Sequence, residues 1–246
     1  MIIKKIVLIL TLIVFKITLA QTFEGRVVYQ VSIDNKAYIT HLKEKSKLPE
    51  RAKMASLRDA LNAESLNFFL LFKGNESLYH AEFDMDMLRD MKMKINDTGT
   101  AAADDETCYV NLKTKENFRQ SFFLDKIIIN VEPIQWELTQ ETKKIGKYTC
   151  YKATATLKEE REGGGYLSDP IVAWYTLEIP VPFGVRSFSG LPGLTLELTQ
   201  DTEKGKLFYK AIKIELNPKN KIVIKKPKGK AISHKEFIEL ISRPRR

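Results

Sequence analysis

Residues 194–200 read Leu-Thr-Leu-Glu-Leu-Thr-Gln, a regular alternation of apolar and polar side chains. Because successive side chains of a β-strand point to opposite faces of its sheet, this pattern is typical of a strand with one buried and one solvated face. The stretch therefore predicts a strand of an antiparallel sheet that buries Leu194, Leu196 and Leu198.

Further strand patterns lie on both sides of this stretch, separated by turn signals such as Gly74-Asn75 and Asn217-Pro218. Their connections are too short for parallel crossovers, which favours an antiparallel meander. The predicted fold class is therefore mainly β (α+β), a curved antiparallel sheet or half-barrel with one or two short helices. The other predicted strands are Gly25–Ser32, Leu66–Phe72, Leu78–Phe83, Phe118–Leu124, Lys126–Val131, Gln135–Thr139, Lys147–Lys158, Ile171–Ile179, Lys206–Leu216 and Lys221–Lys225.

A helix is predicted over Pro49–Ala63. Proline suits the first turn of a helix, and Met54, Leu57 and Leu61 recur at helical spacing as a modest apolar stripe. The polar stretch Asn96–Glu106 has no clear period and is predicted to be a loop.

The first twenty residues have the three parts of a cleaved secretory signal peptide. Lys4 and Lys5 give a positive start, residues 6–15 are almost all apolar, and Thr18-Leu19-Ala20 offers small residues for cleavage. A membrane anchor is the alternative, but Lys16 ends the apolar run short of the roughly 18 residues that a bilayer span needs. The sequence therefore predicts an exported protein, periplasmic or secreted.

The chain after the signal is long enough to bury one sizeable core. Loss of three lysines with the signal would lower the formal net charge from +9 to +6. Ten Lys or Arg and only two Glu lie between Leu216 and the end, so the positive charge is concentrated there. The predicted organisation is a signal peptide at 1–20, a single β-rich domain at 21–224 and a basic tail at 225–246.

The basic tail raises the question of a polyanionic partner. Nucleic acid is disfavoured, because an exported protein rarely meets it and the tail lacks interleaved stacking aromatics. Two interpretations stay open: peripheral contact with an anionic membrane surface, or a solvated charge run. Within the tail, Ser233 and Glu236 form a capping-box pattern ahead of Phe237, which predicts a short helix.

Cys108 and Cys150 are the two cysteines of the chain. In an oxidising compartment they are candidates for a disulfide, and two buried thiols are the alternative. Their spacing is unlike the Cys-x-x-Cys pattern of zinc and redox sites.

The sequence contains no residue pattern that is typical of a catalytic site. His41, His80 and His234 are scattered, without a partner at ligand spacing, so no metal site is predicted. Residues Gly163-Gly164-Gly165 lack the Lys-Ser/Thr pair of a phosphate-binding loop. No catalytic residue and no cofactor is predicted, and the residues favour a binding protein over an enzyme.

The local feature that stands out is Gly190-Leu191-Pro192-Gly193-Leu194. Proline suits the second position of a type II turn and glycine the third, so Leu191 to Leu194 predicts a tight turn flanked by two apolar anchors. Trp174 and Tyr175 lie on a nearby strand, and alternation sends them to opposite faces. Either both simply pack, or one of them forms with the turn a site for an apolar ligand or partner segment.

Several short motifs occur together with the predicted signal. They are Gly25 with Val28-Tyr29, Ser77-Leu78-Tyr79, Trp136, Lys144-Ile145-Gly146, Tyr148, Cys150-Tyr151-Lys152-Ala153, Ala173-Trp174-Tyr175-Thr176 and Gly190 to Leu194. In these motifs the chain resembles the GLPGLI family of exported proteins from one group of Gram-negative bacteria, over most of its length. Thr195 departs from the family name, which has Ile, and Val185 stands where Pro is expected. The resemblance implies export and a strand-rich fold similar to the half-barrels of periplasmic lipoprotein carriers, but no particular activity.

Two functions are therefore compatible with the sequence. The first is an envelope protein that binds an apolar or peptide ligand, or a partner protein, on a curved sheet. The second is a structural or assembly factor that docks to the envelope through its basic tail.

Overall fold

The structure is a computed structural model that describes residues 23–63, 65–81, 106–121, 127–160, 166–202 and 204–241. The predicted signal peptide, most of the predicted loop at 96–106 and the glycines at 163–165 lie outside the described residues.

Twelve described strands form one sheet, and two of them, β7 and β12, are its edges. The order across the sheet is β12-β6-β5-β4-β3-β2-β1-β11-β10-β9-β8-β7. The prediction of a mainly β fold is confirmed. The strands are β1 (Glu24–Asp34), β2 (Leu66–Lys73), β3 (Glu76–Ala81), β4 (Glu106–Asn111), β5 (Glu116–Ser121), β6 (Ile127–Asn130), β7 (Glu137–Ile145), β8 (Tyr148–Glu160), β9 (Tyr166–Thr176), β10 (Leu194–Thr202), β11 (Gly205–Leu216) and β12 (Lys230–Ile232).

The described strands pair in antiparallel fashion, with a single exception. Lys230 to Ile232 pairs in parallel with Ile127 to Ile129, so β12 lies beside β6, far from it in sequence. The strand predicted at Lys221–Lys225 is wrong, because residues 221–229 have no strand partner. Strand β4 was not predicted at all.

Three helices complete the described structure: α1 (Lys36–Glu44), α2 (Glu50–Leu61) and α3 (His234–Ile241). None of them has the length and hydrophobicity needed to cross a bilayer. Sequence patterns predicted α2 and α3 but not α1, and the predicted stripe on α2 does not form a buried face. Met54 is 56% exposed and Leu61 60%.

The capping box predicted for α3 is present. The hydroxyl of Ser233 accepts a hydrogen bond from the backbone N–H of Glu236 (3.2 Å), and the Glu236 carboxylate accepts one from the N–H of Ser233 (2.7 Å). The guanidinium of Arg119 on β5 lies 5.8 Å from the ring centre of Phe237, which holds α3 against the sheet.

The stretch at 194–200 is a strand, but it does not bury a single face. Leu194, Thr195 and Leu196 are all buried, and the pairing with β9 shifts between Thr195 and Glu197. This bulge places one extra residue in β10, so Leu194 and Leu198 do not share a face. The alternation in the sequence therefore identified the strand correctly and its buried face only in part.

Most of the large hydrophobic core lies on one face of the sheet, called here the inner face. Eight strands, β1 to β4 and β8 to β11, contribute buried side chains to it, among them Tyr29, Phe68, Tyr79 and Tyr209. A second, smaller cluster lies on the opposite, outer face of β4, β5 and β6. It consists of Tyr109, Phe118 and Ile128, with Leu78 and Ile224 packed against them.

Candidate binding sites

The connection between β9 and β10 fills the inner face. Its residues 179–191, called here the plug, have no regular secondary structure, yet they supply six buried apolar side chains to the main core. These are Ile179, Val181, Phe183, Val185, Phe188 and Leu191. The sheet therefore curves around a segment of its own chain.

Contacts at both ends of the plug reach distant strands. The rings of Phe183 and Phe72, the latter on β2, lie 6.2 Å apart. Further along, the side-chain amide of Asn117 on β5 donates to the carbonyl of Ser187 (3.2 Å), and the indole N–H of Trp136 donates to the carbonyl of Ser189 (3.0 Å). These polar contacts satisfy carbonyl groups that burial would otherwise leave without partners.

The tight turn predicted at Leu191 to Leu194 is wrong. A type II turn needs a positive φ at Gly193, and Gly193 has none, whereas Gly190 has a φ of 102°. The N–H of Leu194 donates instead to the carbonyl of Ile179 (2.9 Å), at the other end of the plug. The stretch is a bend that closes the plug onto the start of β10.

Gly193 is needed for a different reason, which is close approach. A Cβ atom at this position would lie 1.9 Å from the carbonyl oxygen of Thr176 at the end of β9. Only glycine lets two backbone segments pass at this distance. Gly193 therefore allows the two ends of the plug to pack closely against each other.

The two leucines of the motif are buried, Leu191 to 1% exposure and Leu194 to 0%. Gly190 and Pro192 are exposed. The predicted apolar anchors are thus core residues, and a binding role for Gly190 to Leu194 stays a prediction.

Trp174 and Tyr175 lie on opposite faces of β9. Tyr175 is buried in the main core, and its ring centre lies 6.0 Å from that of Tyr151. Burial raises the pKa of Tyr175, so its hydroxyl stays protonated at physiological pH. The pair of residues therefore does not form one surface with the motif.

Trp174 is half-buried and has a cationic neighbour. The ammonium group of Lys143 on β7 lies 4.4 Å from the centre of the indole ring and is also paired with the carboxylate of Glu197 on β10. This stack of Glu197, Lys143 and Trp174 ties β7, β9 and β10 together across the outer face. A ligand role for Trp174 stays a prediction.

Cys108 and Cys150 are two buried thiols, and the predicted disulfide is absent. Cys108 lies on β4 and Cys150 on β8, and six strands separate β4 from β8 in the sheet. A disulfide needs two Cα atoms within about 7 Å of each other. Both cysteines are therefore reduced thiols in the folded protein.

We expect Cys150 to be chemically inert in the folded protein. Burial raises the pKa of its thiol to about 11, and the thiolate is the form that reacts. At pH 8, alkylation should be roughly a hundredfold slower in the folded than in the unfolded protein. When the protein is unfolded without a reductant, mass spectrometry should show that both thiols have been alkylated. If neither thiol were alkylated, the two cysteines would have to form a disulfide after all.

The sign of the pH effect follows from the same shift. A raised pKa means that the folded state favours the protonated thiol, so this contribution to stability is present at neutral pH. It should be lost as the pH rises from about 9 towards 11.

The first part of the basic tail is packed on the outer face. Residues 221–232, called here the strap, bury Ile222 to 4% exposure and place Ile224 against the outer cluster. The ammonium group of Lys226 pairs with Glu116 and lies 5.9 Å from the ring centre of Tyr109.

Side chains of the sheet also hold the backbone of the strap. Lys73 donates to the carbonyl of Ile222 (3.3 Å), and the side-chain amide of Gln120 donates to the carbonyl of Lys228 (3.1 Å). The strap therefore forms part of the folded domain.

A groove with a volume of about 720 Å³ lies between the strap and the sheet. Phe118 and Ile128 of the outer cluster lie in its lining, and so do amide, lysine and glutamate side chains. The groove is open to solvent on one side. Its lining residues are Lys115, Glu116, Asn117, Phe118, Ile128, Asn130, Val131, Glu132, Pro133, Lys226, Pro227, Lys228, Gly229 and Ala231.

The charges of the groove are only partly neutralised within it. The hydrogen bond from Lys226 is the main reason why the pKa of Glu116 is lowered, and Thr114 adds a second donor. Lys115 and Lys228 are exposed at the rim, as is Glu132. The groove can therefore take a ligand with both apolar and charged groups.

Local sequence patterns did not predict this groove. Its walls come from β5, β6 and the strap, which are brought together by the parallel pairing of β12 with β6. The one local signal was the apolar run Ile222-Val223-Ile224, which was interpreted as part of a strand. Among the described residues, no group of three or more His, Cys, Asp or Glu side chains is placed to hold a metal ion.

The chain is weakly similar to several solved structures, which include those of PNGF-II and LprF. A solved structure of PNGF-II has a TM-score of 0.49 and 16% sequence identity, and the match covers 89% of this chain and 33% of that one. The chain thus spans about a third of the length of PNGF-II. LprF from Mycobacterium bovis has a TM-score of 0.31 and 13% identity, with 84% and 90% of the chains covered. Similarity at this level carries no information about a ligand or an activity.

Comparison of sequences points to one family. No curated protein matches the chain. A family model described as "Protein of unknown function (Porph_ging)" matches twice, at residues 136–168 and 168–197. The matched residues comprise β7, β8, β9, the plug and the start of β10. They include most of the motifs quoted for the GLPGLI resemblance. The match is compatible with that resemblance but does not confirm it. The part of the chain that encloses the plug is therefore similar to a family of proteins of unknown function.

Proposed function

We propose that the protein is an exported, non-enzymatic binding protein whose ligand is an extended peptide segment held in the groove beneath the strap. The observation that carries this proposal is the groove itself, which joins apolar side chains to charged side chains that are only partly neutralised. Its volume of about 720 Å³ falls within the range of about 300–1,000 Å³ that is common for ligand sites.

The inner face is less suited to a ligand, because the plug already occupies it. Six apolar side chains of the plug are buried there, so an apolar guest would have to displace them. The groove needs no such rearrangement, since it is already open.

The lining favours a peptide over a purely apolar molecule. The side-chain amide of Asn130 and the lysines at the rim offer donors to peptide carbonyls and carboxylates. Phe118 and Ile128 offer apolar contact for alternate side chains of an extended segment. We therefore expect the ligand to carry apolar residues together with at least one carboxylate.

Selection from a random peptide library, followed by calorimetric titration, tests the proposal. Peptides selected on the wild-type protein should bind at least about tenfold more weakly to Ala231→Trp, in which the indole fills the groove. Ala231 is exposed, so the substitution leaves the core intact. Lys228→Glu should likewise weaken the binding of acidic peptides.

Ala37→Trp on helix α1 is the matched control, since Ala37 is exposed and does not line the groove. It should bind like the wild type. The proposal fails if no peptide is selected, or if selected peptides bind Ala231→Trp as tightly as the wild type.

A further inference from the structure

The strap and the four residues before it are strongly basic. The sequence from residue 217 to residue 232 contains six lysines and no Asp or Glu. Lys226 is paired with Glu116, and Lys228 lines the groove. The remaining four, called here the outer lysines, are exposed and lie outside the groove lining. They are Lys219, Lys221, Lys225 and Lys230.

An apolar side chain lies among these lysines. Val223 is 66% exposed, whereas Ile222 is buried and Ile224 packs on the outer cluster. In an extended segment, residues two positions apart point the same way. Lys221, Val223 and Lys225 therefore project together into solvent.

We propose that the outer lysines and Val223 dock the protein on an anionic membrane surface. Lysine ammonium groups would contact lipid phosphates, and Val223 would enter the boundary between head groups and acyl chains. The cores of protein–protein interfaces are depleted in lysine, so a surface of this composition fits a membrane better than an acidic protein partner.

The rigid attachment of the strap supports the same inference. Because Ile222 and Ile224 are held on the sheet, the lysines are displayed by a folded platform instead of a loose tail. Docking would then fix the orientation of the domain relative to the membrane. The inference does not depend on a peptide ligand, because the outer lysines do not line the groove.

Sedimentation of the processed chain with lipid vesicles tests this proposal. The protein should bind phosphatidylcholine vesicles only when they contain phosphatidylglycerol. Each lysine near an anionic surface contributes about fivefold to partitioning, so replacing all four outer lysines by glutamine should weaken binding by about a hundredfold or more. Added salt should weaken wild-type binding, because the Debye length falls to about 8 Å at physiological ionic strength.

A control with the same change in net charge separates the strap from general basicity. Lys36, Lys45, Lys47 and Lys213 are exposed elsewhere on the protein, and their replacement by glutamine should leave binding close to that of the wild type. The variant in which all four outer lysines are replaced by glutamine is called here the strap variant. Val223→Ser should give a smaller loss than the strap variant. Circular dichroism of each variant confirms that it is folded.

The proposal fails if the strap variant binds vesicles as well as the wild type does, or if the control variant loses as much binding. It also fails if the wild-type protein binds polyglutamate but not vesicles. That last result would assign the surface to an acidic protein. Peptide titration of the strap variant remains a separate measurement, since its groove lining is unchanged.

Discussion

Replacement of Gly193 by alanine should destabilise the protein by about 3–5 kcal/mol or prevent folding. The added Cβ would meet the carbonyl oxygen of Thr176 at 1.9 Å, and neither partner is a flexible side chain. Relief of the clash requires the end of β9 to move away from the plug. Such a movement would break the hydrogen bond from Leu194 to Ile179 that closes the plug. Chemical denaturation followed by fluorescence measures the loss.

Gly146→Ala is the matched control for this prediction. Gly146 has a φ of 58°, but no atom lies within 4 Å of its added Cβ. The left-handed backbone alone should make alanine less stable by about 1–2 kcal/mol. If the two variants lost the same stability, steric contact at Gly193 would not be the reason for its glycine.

Replacement of Phe183 by alanine should destabilise the protein by about 3–5 kcal/mol, the range for deletion of a buried aromatic side chain. Phe183 is 1% exposed and packs against Phe72 at the centre of the inner face. The loss would be a large part of the roughly 5–15 kcal/mol that stabilises an ordinary domain. Thermal and chemical unfolding should both detect it.

Phe208→Ala provides the comparison, because Phe208 belongs to the sheet but is 38% exposed. It should cost less than about 1 kcal/mol. An equally small effect at Phe183 would mean that the plug can leave the inner face with little loss, and would return that face to consideration as a ligand site.

Local sequence patterns predicted the strands well where a strand buries side chains at a period of two, as β1 and β2 do. The hairpin of β2 and β3 is an example, since its turn at Gly74 has the positive φ, 57°, that glycine favours. Strand β4 was missed because it follows a polar stretch and carries few β-branched residues. Helix α1 was missed because it buries Leu42 alone.

The sites were harder to predict, because long-range contacts create them. The sequence around Gly193 predicted a glycine that a turn requires. The reason for the glycine is instead the close approach of the Thr176 backbone, seventeen positions earlier. The contact of Trp174 with Lys143 could not be predicted from the residues around Trp174, because Lys143 lies two strands away in the sheet. A disulfide was predicted because the chain has two cysteines and the predicted compartment is oxidising. The strand order places the two cysteines far apart.

The parallel pairing of β12 with β6 also bears on how the protein avoids self-association. Without the last part of the chain, Ile127-Ile128-Ile129 would be the edge of the sheet, with its backbone groups available to another molecule. A short isoleucine-rich edge of this kind is a template for the growth of intermolecular sheets. Since β12 follows the other eleven described strands in the chain, this edge remains open until residues 230–232 have been synthesised. A molecule shortened before Lys230 would keep most of its core and yet be prone to aggregate.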